Sequence, residues 1–171
     1  RVSRGLGDVY KRQYLGLFLA LALICSYIES LIPFYFGIQG VKLGLTNIVV
    51  VMMLYCIGAK EALLVSLLRI VLAGFMFGNM FSILYSLAGG ILSFLIMYLL
   101  KRYTGLHVIS ISAAGGISHN IGQLFLAALV VENYNILYYA SVLIIAGIIT
   151  GIVIGIVAQE VILRLKQRID F

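Results

Sequence analysis

Carboxylates are scarce in this chain and never grouped. Of 171 residues only six are Asp or Glu, namely Asp8, Glu29, Glu61, Glu132, Glu160 and Asp170. Metal-dependent diphosphate chemistry uses clustered carboxylates to hold its cation, and no DDxxD-like group exists here. There is no GxxxxGK[ST] loop for a nucleotide, and no Ser/His/Asp arrangement that spacing nominates. The two cysteines, Cys25 and Cys56, lie inside apolar runs with no Cys/His grouping at zinc spacing, so they read as small packing residues. These absences argue against an enzyme, a metal or a cofactor. Energy for any transport would come from an ion gradient or another subunit.

What fills the chain instead is apolar surface. Hydrophobic residues make up 63% and charged residues 11%, with a mean hydropathy of +1.15. Soluble domains average about 45–50% apolar and about 25% charged, so this composition is that of an integral membrane protein. One Pro and 18 Gly fit that class, because small residues let membrane helices approach closely. The net charge of +6 does not point to nucleic acid. Its cations flank apolar runs and are not grouped on a water-facing surface.

Residues 1–13, RVSRGLGDVYKRQ, differ in composition from the rest of the chain and lack an initiator Met. They are expected to be an adapter-like tail on a truncated reading frame, outside the functional argument except for Lys11 and Arg12. Residues 14–165 are expected to form a single membrane domain, and 166–171 a tail. The first helix of that domain is Tyr14 to Leu31, where Gly16 and Ala20 form a small-xxx-small pair. That pair serves either packing within the chain or a partner helix.

Ile32 to Lys42, IPFYFGIQGVK, is too short and interrupted to span and reads as an outer loop or re-entrant segment. Phe34, Tyr35 and Phe36 fit an interfacial aromatic belt there. The second helix is predicted over Leu43 to Ile57, and the third over Lys60 to Asn79. The fourth is predicted over Met80 to Leu100, the fifth over Ile111 to Val131 and the sixth over Ile136 to Leu165. Gly147, Gly151 and Gly155 recur at four-residue spacing on the sixth, a close-packing stripe that serves either within the chain or between chains. Six spans place Lys11, Arg12, Lys60, Lys101, Arg102, Arg164, Lys166 and Arg168 on one side and only Lys42 on the other. The excess of cations then puts both termini in the cytoplasm.

The third helix is central, because Arg69 falls near its middle. A guanidinium at mid-membrane costs about 2.5–3.5 kcal/mol or more, so it should face protein, water or a ligand. It either pairs with helix-end carbonyls or another side chain, or binds an anionic or carbonyl-bearing molecule. Asn47 on the second helix and His119, Asn120 and Gln123 on the fifth are further polar groups at depth. Asn120 with Gln123, and His119 with Gln123, share helical faces at three- and four-residue spacing. These groups either satisfy one another across helices or converge with Arg69 into a polar pocket in an apolar shell. No internal inverted repeat of the kind many carriers show is evident.

Several blocks together resemble a known bacterial membrane family: ESLIP at 29–33, GVKLGLTNI at 40–48, KEALLVSLLR at 60–69, FSILYSLAGG at 81–90 and ISHNIGQL at 117–124. The family is labelled heptaprenyl diphosphate synthase component I, or Gx transporter, and is similar to the S components of energy-coupling factor (ECF) importers. The resemblance implies an all-α bundle of about six transmembrane helices in the bacterial cytoplasmic membrane. It also implies capture of a vitamin-like molecule and coupling to a transmembrane subunit driven by ATPases. Arg69, Asn47, His119, Asn120, Gln123, Lys42 and Glu29 would then form the substrate site, with the loop Pro33 to Gly40 as a lid. Gly16 and Ala20 would face the coupling subunit. The alternatives are a membrane accessory subunit of a polyprenyl diphosphate synthase in isoprenoid-quinone synthesis and an independent secondary carrier.

Overall fold

The computed structural model describes residues 2–32 and 44–168, with side chains for 9–32 and 44–165. Six α-helices account for nearly all of them: α1 (Val2–Leu31), α2 (Asn47–Cys56), α3 (Ala59–Phe77), α4 (Met80–Tyr103), α5 (Val108–Val131) and α6 (Ala140–Arg168). A short 3₁₀ helix, Tyr134–Tyr139, leads into α6. Among the described residues there is no strand.

The helices run alternately up and down. Glu29 at the end of α1 touches Gly44 before α2, and the ring of Tyr27 lies 5.1 Å from that of Phe77, so α1, α2 and α3 meet at one end. At the opposite end Lys11 reaches Glu61 on α3, and Lys101 on α4 reaches the carbonyl of Leu54 on α2. Lys11 and Lys101 therefore lie at the same end of the bundle.

Four segments are long and apolar enough to cross a membrane: Val9–Leu31, Met80–Tyr103, Val108–Val131 and Tyr134–Leu165. The sequence suggests six. The difference lies in α2 and α3. At 10 residues α2 covers about 15 Å, half of a bilayer core, and it starts at Asn47 because Gly44 to Thr46 form a turn. Helix α3 has 19 residues but carries Lys60, Glu61 and Arg69.

Being short, α2 is also the most enclosed helix. Val49 through Leu54 are all buried, so the helix is apolar on every side and belongs inside the bundle. It shares one core with Ala22 of α1, Ala62 and Val65 of α3, Phe94 and Met97 of α4, Ile111 of α5 and Ala158 and Ile162 of α6. The outward faces stay apolar, with Leu17, Ile24, Leu95, Phe125, Ile149 and Val153 among the exposed residues, as lipid contact requires.

Glycine fixes how closely α5 and α6 approach. A methyl group placed at Gly116 would sit 2.3 Å from the carbonyl oxygen of Gly147, and one at Gly151 would sit 2.6 Å from Cα of Ala113. Gly155 likewise faces Ile109, so the stripe at 147, 151 and 155 is spent within the chain, on α5. Gly16 is different: nothing lies within 4 Å of a methyl group built there. Gly151→Val should therefore lower the thermal midpoint in detergent, by the equivalent of about 1–3 kcal/mol for overpacking. Gly16→Ala should leave the midpoint unchanged or raise it by up to about 1 kcal/mol of helix propensity. A scanning thermal-unfolding assay of both variants checks the contrast.

Candidate functional site

The turn before α2 is where the polar residues meet. Glu29, buried at the end of α1, accepts the backbone N–H of Gly44 at 2.5 Å and of Leu45 at 3.1 Å on one carboxylate oxygen. Its other oxygen lies 3.5 Å from the hydroxyl of Thr46, which also pairs with Ser26 at 3.2 Å. A helix start leaves N–H groups without intrahelical acceptors, and inside a bilayer water does not supply them. Glu29 accepts from this turn directly, and Ser26, three residues earlier on α1, supports it through Thr46. Glu29 is thus a clamp on the turn before α2, whereas the sequence alone places it among ligand-binding residues.

Gly44 holds that turn with φ of +80°, in the left-handed region that favours glycine. A methyl group on it would come 2.9 Å from the His119 ring and 3.1 Å from Nδ2 of Asn47. Asn47 and His119, on α2 and α5, therefore meet across Gly44. Both are buried.

From His119 the polar groups continue onto α4 and α3. Gly89 of α4 leaves room for the His119 backbone and the Gln123 side chain, which stand 2.7 and 2.8 Å from where its methyl would be. The adjacent Gly90 faces Ile70, and 4.0 Å from its methyl position is Oγ of Ser66 on α3. The Gly89-Gly90 pair thus lets α3 and α5 approach α4 from two sides.

Arg69 follows on α3, 4% exposed. Its Nε has no hydrogen-bond partner among the described residues, and Nδ2 of Asn47 is in the same condition. Glu29 and Cys25 lie within electrostatic range of the guanidinium. Among the described residues, however, no salt bridge joins Arg69 to Glu29, whose carboxylate is occupied by the turn before α2.

The remaining nominated residues divide. Asn120 points its Nδ2 at the carbonyl of Leu143 on α6, 2.8 Å away, and so ties α5 to α6 on the side away from α4. Gln123 is fully buried beside Gly89. Lys42 and the loop Pro33 to Gly40 lie outside the described residues. Gly16 and Ala20 are exposed on α1. Sequence reasoning missed the supporting role of Ser26. Its spacing to Glu29 is the available signal, with the receiving backbone N–H groups unreadable from side-chain identities.

Comparison with known proteins gives one finding. Residues 18–161 match the family model described as heptaprenyl diphosphate synthase component I. No curated protein and no solved structure matches the chain.

The clamp yields a direct test. Glu29→Ala removes the acceptor from one buried and one partly buried N–H group and should lower stability by roughly 1.5–3 kcal/mol, the scale of hydrogen bonds to charged groups. Hydrogen exchange should quicken first at Gly44 and Leu45. Unchanged exchange there would show that Glu29 does not hold the turn.

Proposed function

The chain belongs to the heptaprenyl diphosphate synthase component I family, and from that premise we propose that it is a non-catalytic membrane protein that holds a small ligand beside Arg69. The observation that carries the proposal is the burial of the Arg69 guanidinium with its Nε unpartnered among the described residues. Desolvating a charge without a direct partner is costly, and an acceptor brought by a ligand offsets that cost. An anionic or carbonyl-bearing group suits it. Asn47, with its own Nδ2 unpartnered, adds a neutral donor, and His119 and Gln123 complete the polar wall.

Two assemblies could use such a component. The family description favours an accessory subunit of a heptaprenyl or related polyprenyl diphosphate synthase. In that partnership a soluble, Asp-rich synthase supplies the magnesium chemistry and this chain supplies the membrane. The buried polar cluster favours a second assembly, an ECF-type importer in which this chain is the substrate-binding S component for a vitamin-like molecule. Gly16 and Ala20, exposed and uncovered on α1, then offer a coupling subunit a close approach. In either assembly the basic end of the bundle faces the cytoplasm and carries both termini, following the excess of cations.

Purification from native membranes in mild detergent, with mass spectrometry of proteins and small molecules, tests both levels. The wild-type chain should retain a small molecule that Arg69→Ala loses by a factor of about ten or more, as for a hydrogen bond to a charged group. Both proteins should elute at the same position. Equal loss of folded protein would instead assign Arg69 to packing. A co-purifying polyprenyl synthase identifies the first assembly and an ATPase module the second. Uptake that collapses with the proton gradient and ignores ATP depletion would replace both with a secondary carrier.

A further inference from the structure

A second cluster of polar groups sits at the opposite end of the bundle, far from the Glu29 clamp. There an open, shallow cavity of about 270 Å³ is lined by Leu54 of α2, Ala59 of α3 and Tyr98, Lys101 and Arg102 of α4. Lys101 and Arg102 belong to the last turn of a helix long and apolar enough to span a membrane. The cavity therefore lies where the apolar region meets water, at headgroup depth.

The two cations are held at its rim by aromatic and carbonyl groups. Lys101 donates to the carbonyl of Leu54 and stands 4.6 Å from the centre of the Tyr55 ring. Arg102 donates through Nη1 to the Tyr98 hydroxyl at 2.8 Å, with its guanidinium 5.7 Å from the Tyr103 ring. At the same end Lys11 pairs with Glu61 at 2.5 Å and Arg164 stands 3.9 Å from Glu160. Among the described residues no carboxylate pairs with Arg102. Both side chains are exposed, as snorkelling requires, and Tyr98 holds the Arg102 guanidinium beside the apolar wall made by Leu54 and Ala59.

We infer that this cavity binds the phosphate of an anionic phospholipid, one whose headgroup carries no cation of its own. Arg102 and Lys101 take the phosphate oxygens, Tyr98 orients the guanidinium, and the tail runs along the Leu54 and Ala59 wall into the bilayer. Guanidinium and ammonium groups together suit a phosphate oxygen cluster, and basic pockets between membrane helices bind anionic headgroups in this way. The volume falls just below the roughly 300–1,000 Å³ of sites that enclose a whole small molecule, which fits a headgroup with its tail outside. No residue of this cavity belongs to the Arg69 site, so the two assignments stand or fall separately.

The test is native mass spectrometry of the full chain after delipidation, titrated with phosphatidylglycerol or phosphatidylcholine, with inorganic phosphate as competitor. The expected result is at least fivefold greater retention of phosphatidylglycerol, unaffected by millimolar phosphate. That preference should be lost in Lys101→Gln/Arg102→Gln and kept in Arg164→Gln. If the double variant does not fold, Arg102→Gln alone, which removes one contact to Tyr98, should cut the preference at least twofold. Equal retention of both lipids, or a preference that survives the loss of Arg102, would overturn the inference. Displacement by inorganic phosphate would overturn the lipid assignment in favour of a free anion.

Discussion

The fold depends on getting a short helix, apolar after its first residue, to begin inside a bundle where water cannot reach its first N–H groups. Helix α2 has only 10 residues and is enclosed by every other helix. Its N-terminal turn places buried amides beside α1, and Glu29 accepts two of them. A carboxylate is the strongest acceptor available, and its charge also complements the positive end of the α2 dipole. Without that clamp the helix would have to lengthen toward water or leave its amides unpaired. The clamp further brings a negative charge within electrostatic range of Arg69 without pairing with it. One residue thus anchors α2 and moderates the cost of the guanidinium while leaving its Nε unspent.

Much of this is legible in the sequence, and the parts that are not have physical causes. The membrane class, the last three helices and the loop between α4 and α5 come from long apolar runs closed by Lys101-Arg102 and interrupted by polar residues. The expected span at Leu43 to Ile57 overruns α2, because apolar composition looks the same in a buried core helix as in a lipid-facing one. Only length separates them, and Gly44 shortens the helix by taking a positive φ that an apolar pattern does not reveal. The stripe of Gly147, Gly151 and Gly155 announces close packing but not its partner. The answer depends on Gly116 and Ala113, which are 31 to 38 residues away and carry no periodic signal of their own.

The polar residues show the same limit. Residue type alone marks Asn47, Arg69, His119, Asn120 and Gln123 as costly in an apolar bundle, and all five are buried, as is Glu29, which the sequence places at a helix end. Their division of labour is invisible at that level. Asn120 and Gln123 are three apart, yet Asn120 reaches the carbonyl of Leu143 on α6 while Gln123 sits beside Gly89 of α4. Helix α5 is sandwiched between α4 and α6, so residues one turn apart can serve opposite interfaces. Side-chain spacing predicts a shared face only when a helix has one neighbour.

The two ends of the bundle meet contrasting demands with the same chemistry. At the Glu29 end, charge is enclosed and every donor must be matched by protein or by something that arrives. At the basic end, charge is near water and aromatic rings suffice to position it, as Tyr98 does for Arg102. A charge held in an apolar shell gains selectivity, because any molecule that reaches it must shed water and supply an acceptor. A charge held at the interface gains reach, because a lipid can slide to it without leaving the bilayer. Arg69 is therefore the charge whose cost depends on what encloses it, and Arg102 the one whose position depends on its tyrosine neighbour.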